Sequence, residues 1–252
     1  MKKINYAITS FRRPECISVN ALVDLGVPPE DITIFLQDEA DLAAYSETHP
    51  GISKILKKST GLNANRNNAL KHYNPGDYVV LLDDDVISFL YLVAISGEKV
   101  SSKKIRDGEL FRNIIIRTFT ECEAIGCPMW GIAATGNAII AKNRLFTDGI
   151  YSINRLFQGS LIGHINNGIY YDESYTLMTD YELQLRYYRM GAVLIRANDI
   201  APSKKPNGNY NGGLFDEYRI PNKRKVTMER LRAQYPDLIE IKPDWSGLKQ
   251  KI

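Results

Sequence analysis

The segment LLDDDV, Leu81 to Val86, places three consecutive carboxylates at the end of an apolar, β-branched run, YVVLL. Adjacent negative charges repel one another, so carboxylates driven out of a buried strand call for positive charge to meet them. Successive side chains of a strand point to opposite faces. Asp83 and Asp85 are therefore expected to face one way and Asp84 the other. Two converging carboxylates form a hard-oxygen site for Mg2+ or Mn2+, whose shell is completed by water and substrate phosphate. A single aspartate here also suits a helix start, but three in a row exceed that need.

Groups that complement an anion lie on either side in sequence. TSFRR supplies Thr9, Ser10, Arg12 and Arg13 after a first apolar run, and NANRNN supplies Asn63, Asn65, Arg66 and Asn67 before the acidic one. Guanidinium forks match phosphate oxygens, and helix starts add backbone N–H donors. Solvated surface charge is the competing account, most of all for Arg13. In MTDYELQLRYY, Asp180 begins an amphipathic stretch. It is either a base for an acceptor hydroxyl or part of an ordinary helix cap. In PSKKPNGNYNGG, Lys204 and Lys205 can neutralise a departing diphosphate, and Gly208, Gly212 and Gly213 let a loop fold close over a ligand. A plain exposed turn is the alternative there. Late in the chain Arg219, Lys223, Arg224, Lys225, Arg230 and Arg232 interleave with Tyr210, Phe215 and Tyr218. That pattern suits a phosphate backbone with aromatic contacts, or simply a solubilising helix face.

The elements that position these groups alternate. INYAIT (4–9), DITIFL (31–36), ISKILKK (52–58) and DYVVLL (77–82) read as strands. Between them, FRRPECISVNALVDLG, DEADLAAYSETHP and LNANRNNALKHY read as helices, the first with Pro14 in its first turn. Further on, SSKKIRDGELFRNIIIRTFTECEAIG is expected to be one long amphipathic helix. WGIAATGNAIIA, YSINRLFQGSLIGHIN and AVLIRAN are expected strands, TDYELQLRYYRMG and KVTMERLRAQYP helices, and SKKPNGNYNGGLFDEYR a loop. Such alternation predicts an α/β fold, a Rossmann-like, mostly parallel sheet with helices on both faces. Ligands bind such sheets beyond the carboxyl ends of the strands. The predicted strand ends there, TSFRR, LQDE, KKSTGLNANRN and DDDV, are all polar.

The 252 residues suit one domain, a nucleotide-binding half over about 1–90 and a mixed half over about 91–252. With 44% hydrophobic and 24% charged residues, the chain is an ordinary globular protein rather than a disordered one. A net charge of +3 excludes a polycation. Cys16, Cys122 and Cys127 lack metal-knuckle spacing and suit a reducing compartment. No signal peptide opens the chain, and no apolar run approaches the ~18 residues of a spanning helix. A cytoplasmic protein without a membrane partner is expected.

Taken in order, ITSFRRP, LGVPPEDITIFLQDEADLAAY, GLNANRN and GDYVVLLDDDVISF resemble the nucleotide-binding half of the GT-A glycosyltransferases, in which a hydrophobic strand followed by DxD marks a nucleotide-sugar site. WGIAATGNAII, GSLIGHIN, TDYELQLRYYRMGAVLIRANDI, KK and NGGL follow. The whole succession, from about Ile4 to about Pro236, resembles the TET-associated glycosyltransferase family, whose phage members glycosylate modified bases in DNA. The resemblance implies a metal-dependent transfer from a UDP-sugar, glucose or arabinose, to the hydroxymethyl group of a 5-hydroxymethylpyrimidine in double-stranded DNA, 5-hydroxymethylcytosine foremost. It implies Mn2+ or Mg2+ on Asp83 and Asp85, and a nucleotide held by Thr9, Ser10, Arg12, Arg66, Asp83 and Asp84. Lys204, Lys205, Gly212 and Gly213 would match its closing segment. Asp180 would be the base, which many inverting relatives keep in a Glu-Asp-Tyr context; here Thr179 precedes it. Two alternatives stay open: a carbohydrate or protein acceptor for the same donor half, and a nucleotide- or DNA-binding module without turnover.

Overall fold

A computed structural model describes residues 2–95, 99–204 and 220–251, apart from the side chains at 138, 142 and 143. Its centre is an eight-stranded sheet ordered β3-β2-β1-β4-β9-β7-β10-β8. The strands are β1 (Ile4–Thr9), β2 (Ile32–Leu36), β3 (Ser53–Leu56), β4 (Tyr78–Asp83), β7 (Met129–Ile132), β8 (Tyr151–Ile153), β9 (Gln158–Ile165) and β10 (Ile195–Ala197). β3, β2, β1 and β4 run parallel. β9 is antiparallel to β4 and β7, β10 is parallel to β7, and β8 closes the edge antiparallel to β10. The expected Rossmann-like, mostly parallel α/β sheet is therefore present. β4 is buried along YVVLL, as a strand covered on both faces must be.

One face carries α1 (Ile17–Val23), α2 (Glu39–Thr48) and α4 (Gly108–Ile125), which pack Leu22, Tyr45 and Phe111 against Ile8, Ile34 and Val80. The other carries α3 (Leu62–His72) and α6 (Thr179–Arg189), which pack Leu70 and Leu183 against Ala7, Phe35 and Leu81. A smaller antiparallel sheet, β11-β5-β6, is formed by β5 (Val86–Ile95), β6 (Lys99–Lys104) and β11 (Ile200–Lys204). α5 (Ala138–Asp148) covers it, with Leu145 and Leu92 in one apolar cluster. α7 (Lys223–Gln234) and the hairpin of β12 (Ile239–Ile241) and β13 (Leu248–Gln250) join α6 through Leu185, Leu231 and Ile239. No helix of the described residues is long and apolar enough to cross a membrane.

Several boundaries differ from the sequence expectation. Residues 11–16 do not begin α1: Arg12 and Cys16 adopt positive φ of 55° and 29°, which a helix does not tolerate. Ser101 to Lys104 pair with Leu90 to Val93 as β6 rather than opening the long helix. That helix starts later, where the Asp107 carboxylate accepts from Glu109 and Leu110 N–H groups at 2.9 and 3.3 Å. Residues 138–141, expected to end a strand, instead open α5, with Asn137 Oδ1 accepting from Ile139 N–H at 2.9 Å. The Ala-Ile-Ile run there carries neither a helical nor a strand period, so its flanking cap decides.

Candidate functional site

The chain leaves β4 through a corner at Asp84 and Asp85 and enters β5 at Val86. α1 holds this corner. Ser18 Oγ donates to the Asp83 carbonyl at 2.6 Å and accepts from Val86 N–H at 2.8 Å. Fixed in this way, the three carboxylates separate as strand alternation predicts. Asp83 and Asp85 share one cation, with Lys204 Nζ 2.7 Å from Asp83 Oδ2 and 2.9 Å from Asp85 Oδ1. Asp84 turns to the opposite side, where its Oδ2 accepts from Ser10 Oγ at 2.5 Å and its Oδ1 from Arg13 Nη1 at 3.0 Å. Tyr45 Oη supports that group, 2.6 Å from Ser10 Oγ and accepting from Arg13 N–H at 2.9 Å.

Arg66 comes to the corner from α3, in the layer beneath. It is buried, with Nη2 donating to Asp83 Oδ1 at 3.1 Å and Nη1 to Thr179 Oγ1 at 3.0 Å. Its guanidinium lies over the Tyr171 ring, 5.3 Å from the centroid, and Tyr171 Oη lies 3.3 Å from His164 Nε2. Arg66 thereby ties the acidic corner to the start of α6. Neither Thr179 nor Asp180 caps that helix: Met178 holds the cap position in a left-handed conformation, without a side-chain hydrogen bond. Thr179 is engaged by Arg66, and Asp180 sits beside Gly159 of β9, where an added Cβ would lie 3.3 Å from the Asp180 Cβ.

Charge sets these carboxyls apart. Burial would raise Asp83, but Lys204 and then Arg66 outweigh it and hold Asp83 below the usual carboxylate range. Burial pushes Asp84 up to about 6 against Ser10 and Arg13, and Asp85 adds to the rise. Burial also raises Asp180, helped by the Asp83 charge and opposed by that of Arg66. Lys204 is raised because Asp83 and Asp85 outweigh the burial that would lower it. Burial, with Arg66 nearby, holds His164 down at about 3, so it is neutral at physiological pH.

The structure thus brings Ser10, Arg66, Asp83, Asp84, Asp85, Lys204 and Asp180 together, with Thr9 level with Asp83 in the adjoining strand. Arg12 is not among them. Its guanidinium lies over Phe11, 4.7 Å from the ring centroid, and its N–H donates to Asp41 Oδ2 at 3.1 Å. The arginine that reaches the triplet is its neighbour Arg13. Lys204 ends β11 rather than lying in the expected loop. Lys205, Gly208, Gly212 and Gly213 lie outside the described residues, as do Tyr210, Phe215, Tyr218 and Arg219. Ser18, Tyr45 and Tyr171 were not legible as site residues: each sits in a local pattern that reads only as helix, helix or loop, and no spacing links them to the triplet.

Among the described residues no set of three His, Cys, Asp or Glu side chains is placed to hold an ion by itself. Asp83 and Asp85 nevertheless fit a divalent ion that draws its remaining ligands from phosphate and water. Lys204 donates to Asp83 at 2.7 Å and pairs with the buried Oδ1 of Asp85 at 2.9 Å, so one ammonium serves both carboxylates. Two hard oxygen donors facing one small cation are the donor set that a divalent ion takes.

No family model matches the chain, and no curated protein matches it. Among solved structures, it is similar to 4-diphosphocytidyl-2C-methyl-D-erythritol synthase from Anaerococcus prevotii, at 16% identity and a TM-score of 0.33. The match covers 53% of this chain and 55% of that one, so the chain spans about half of that protein's length.

Proposed function

We propose that this chain is a glycosyltransferase that moves a sugar from a UDP-sugar, glucose or arabinose, to the hydroxymethyl group of a 5-hydroxymethylpyrimidine in duplex DNA. The observation that carries the donor half is the convergence of Asp83 and Asp85 on one cation at the carboxyl end of β4, with Arg66 and Asp180 beside them. That end of a parallel sheet is where nucleotides bind. Thr9, the last residue of β1, lies level with Asp83, and Ser10 follows it on the Asp84 side.

In this reading the acceptor hydroxyl oxygen attacks the anomeric carbon and the bond from that carbon to the UDP oxygen breaks. The hydroxyl proton passes to a carboxylate Oδ of Asp180, and the electron pair of the broken bond stays on UDP. An unaided hydroxyl holds its proton too tightly to attack, so a positioned carboxylate is needed. Burial makes Asp180 a stronger base than an exposed aspartate, while Arg66 keeps its ionised form accessible. Arg66 is a fixed charge, and Lys204 a second cation, near the negative charge developing on UDP. A divalent ion, Mn2+ or Mg2+, would be held by Asp83 and Asp85 and would supply Lewis-acid stabilisation of the leaving diphosphate.

The acceptor side rests on α7. α7 buries Thr227, Met228 and Leu231 and leaves Arg224, Lys225, Arg230 and Arg232 exposed. Exposed cations along one helix suit a phosphate backbone. The C5 substituent of a pyrimidine projects into the major groove. The free, buried Cys16, Cys122 and Cys127 agree with a reducing cytoplasm.

The test is one incubation with Mn2+, a panel of UDP-sugars and duplex DNA carrying 5-hydroxymethylcytosine or 5-hydroxymethyluracil, followed by digestion and weighing of the nucleosides. The expected product is a nucleoside heavier by one hexose or one pentose. Release of UDP with no heavier nucleoside contradicts the DNA acceptor and leaves a carbohydrate or protein acceptor. Neither product contradicts transfer altogether.

A further inference from the structure

Lys204 fills the space between Asp83 and Asp85. Its ammonium bridges the Asp83 and Asp85 carboxylates at 2.7 and 2.9 Å, the two groups that strand alternation turns to one side. It arrives from β11, whose pairing with β5 shifts register between Ser203 and Lys204, opposite Val86. Such an irregularity re-aims a side chain, and here it aims the ammonium at the corner.

We infer that Lys204 is a place-holding cation: the ammonium and a divalent ion are alternative occupants of the Asp83–Asp85 pair. Three observations lead there. The Lys204 ammonium is shared by two carboxylates rather than paired with one. The corner gathers the carboxylates of Asp83, Asp84, Asp85 and Asp180 around the cations Arg13, Arg66 and Lys204, which leaves no surplus positive charge. A donor diphosphate would therefore meet a neutral or negative surface. Lys204 is also 30% exposed, so its side chain has solvent to move into without unpacking the core. Entry of an ion supplies the missing charge and frees the ammonium beside the diphosphate. Without an ion, the ammonium keeps two facing carboxylates from repelling each other. Lys204 is thus a positioning residue that couples ion entry to donor entry. What it meets after release rests on the proposed donor site, whereas the competition with the ion does not.

The experiment is a titration of the protein with Mn2+ alone, free Mn2+ being followed by electron paramagnetic resonance. It compares the wild type with Lys204→Met and Lys204→Gln, two uncharged replacements of different polarity. Removing the competing ammonium is expected to tighten Mn2+ binding at least about tenfold in both variants. Equal affinity in all three proteins, or weaker binding in the variants, overturns the inference. A parallel series with UDP separates this from the donor reading. If UDP tightens Mn2+ binding to the wild type, ion and diphosphate share the corner. If UDP has no effect while the variants still bind Mn2+ more tightly, the donor reading fails and the competition stands.

Discussion

At Asp84, burial and pairing pull in opposite directions. Ser10 and Arg13 both favour the carboxylate, yet desolvation wins and raises the group from 3.8 to about 6. A carboxyl that titrates higher when folded takes up a proton on folding, so its contribution to stability is full below about pH 4. That contribution is lost as the pH rises through about 6, and the rise corresponds to on the order of 3 kcal/mol. Asp83 has the opposite sign: held low by Lys204 and Arg66, it contributes above its ordinary range and loses that contribution as the pH falls. Urea unfolding of the wild type and Asp84→Asn between pH 4 and 7.5 isolates the first effect. The wild type is expected to lose stability relative to the variant as the pH rises, and a pH-independent difference would contradict this. For Asp180→Asn we expect unchanged UDP affinity and transfer slowed ~100-fold or more. The wild-type rate is expected to rise with pH as Asp180 ionises, above the ordinary aspartate range, because burial raises that group. An unimpaired rate in the variant would return Asp180 to a structural role. The acids and Arg66 were legible in the sequence because few residue types do such chemistry. Arg12 and Arg13 were not separable, because the positive φ at Arg12 decides which guanidinium faces the corner, and no periodicity encodes it.

The corner between β4 and β5 is held by α1 through the Ser18 hydroxyl, with the Ser18 N–H donating to the Asp84 carbonyl at 3.5 Å. Ser18→Ala leaves the buried Val86 N–H without its acceptor, and such a loss costs about 1–3 kcal/mol. Denaturant unfolding should show that loss, and a wild-type midpoint would mean that the corner is held by something else. β1, β2, α3, β4 and α6 were legible, because their runs have clear periods and their ends carry turn or polar residues. The segments directly after the acidic triplet, β5 and β6, were not. Among the described residues, β5 pairs with β6 and with β11, which is far away in sequence. β5 carries an apolar run of its own, FLYLVAI, but β6, KVSSKK, is mostly polar and reads as a helix start as readily as a strand. α5 was misread because Ala-Ile-Ile suits a strand as well as a helix, and the deciding Asn137 cap makes only one hydrogen bond. Lys204 was legible as a phosphate partner but not as a partner of Asp83 and Asp85, since that contact spans 121 residues.

Across the whole molecule, the central sheet gathers polar chain ends at its carboxyl edge, and α7 adds exposed cations from the C-terminal third. If those cations track a DNA backbone, duplex affinity must fall with salt, with a slope of about 0.9 per phosphate neutralised. Reversing charge at Lys225 and Arg232 should weaken duplex binding and flatten that slope while leaving UDP affinity unchanged. A slope that does not change would move the acceptor elsewhere. The alternation of strands and helices was enough to reveal the sheet, but composition could not reveal the acceptor side, because a basic helix face is equally a solubilising one. The acidic corner as a nucleotide-diphosphate site is the claim on which the rest depends. Calorimetric titration with UDP, and separately with uridine, in the presence of Mn2+ tests it most directly. The account predicts that UDP binds at least about tenfold more tightly than uridine, because the diphosphate meets an ion, Arg66 and Lys204. Equal affinity for the two, or no heat from either, would contradict it.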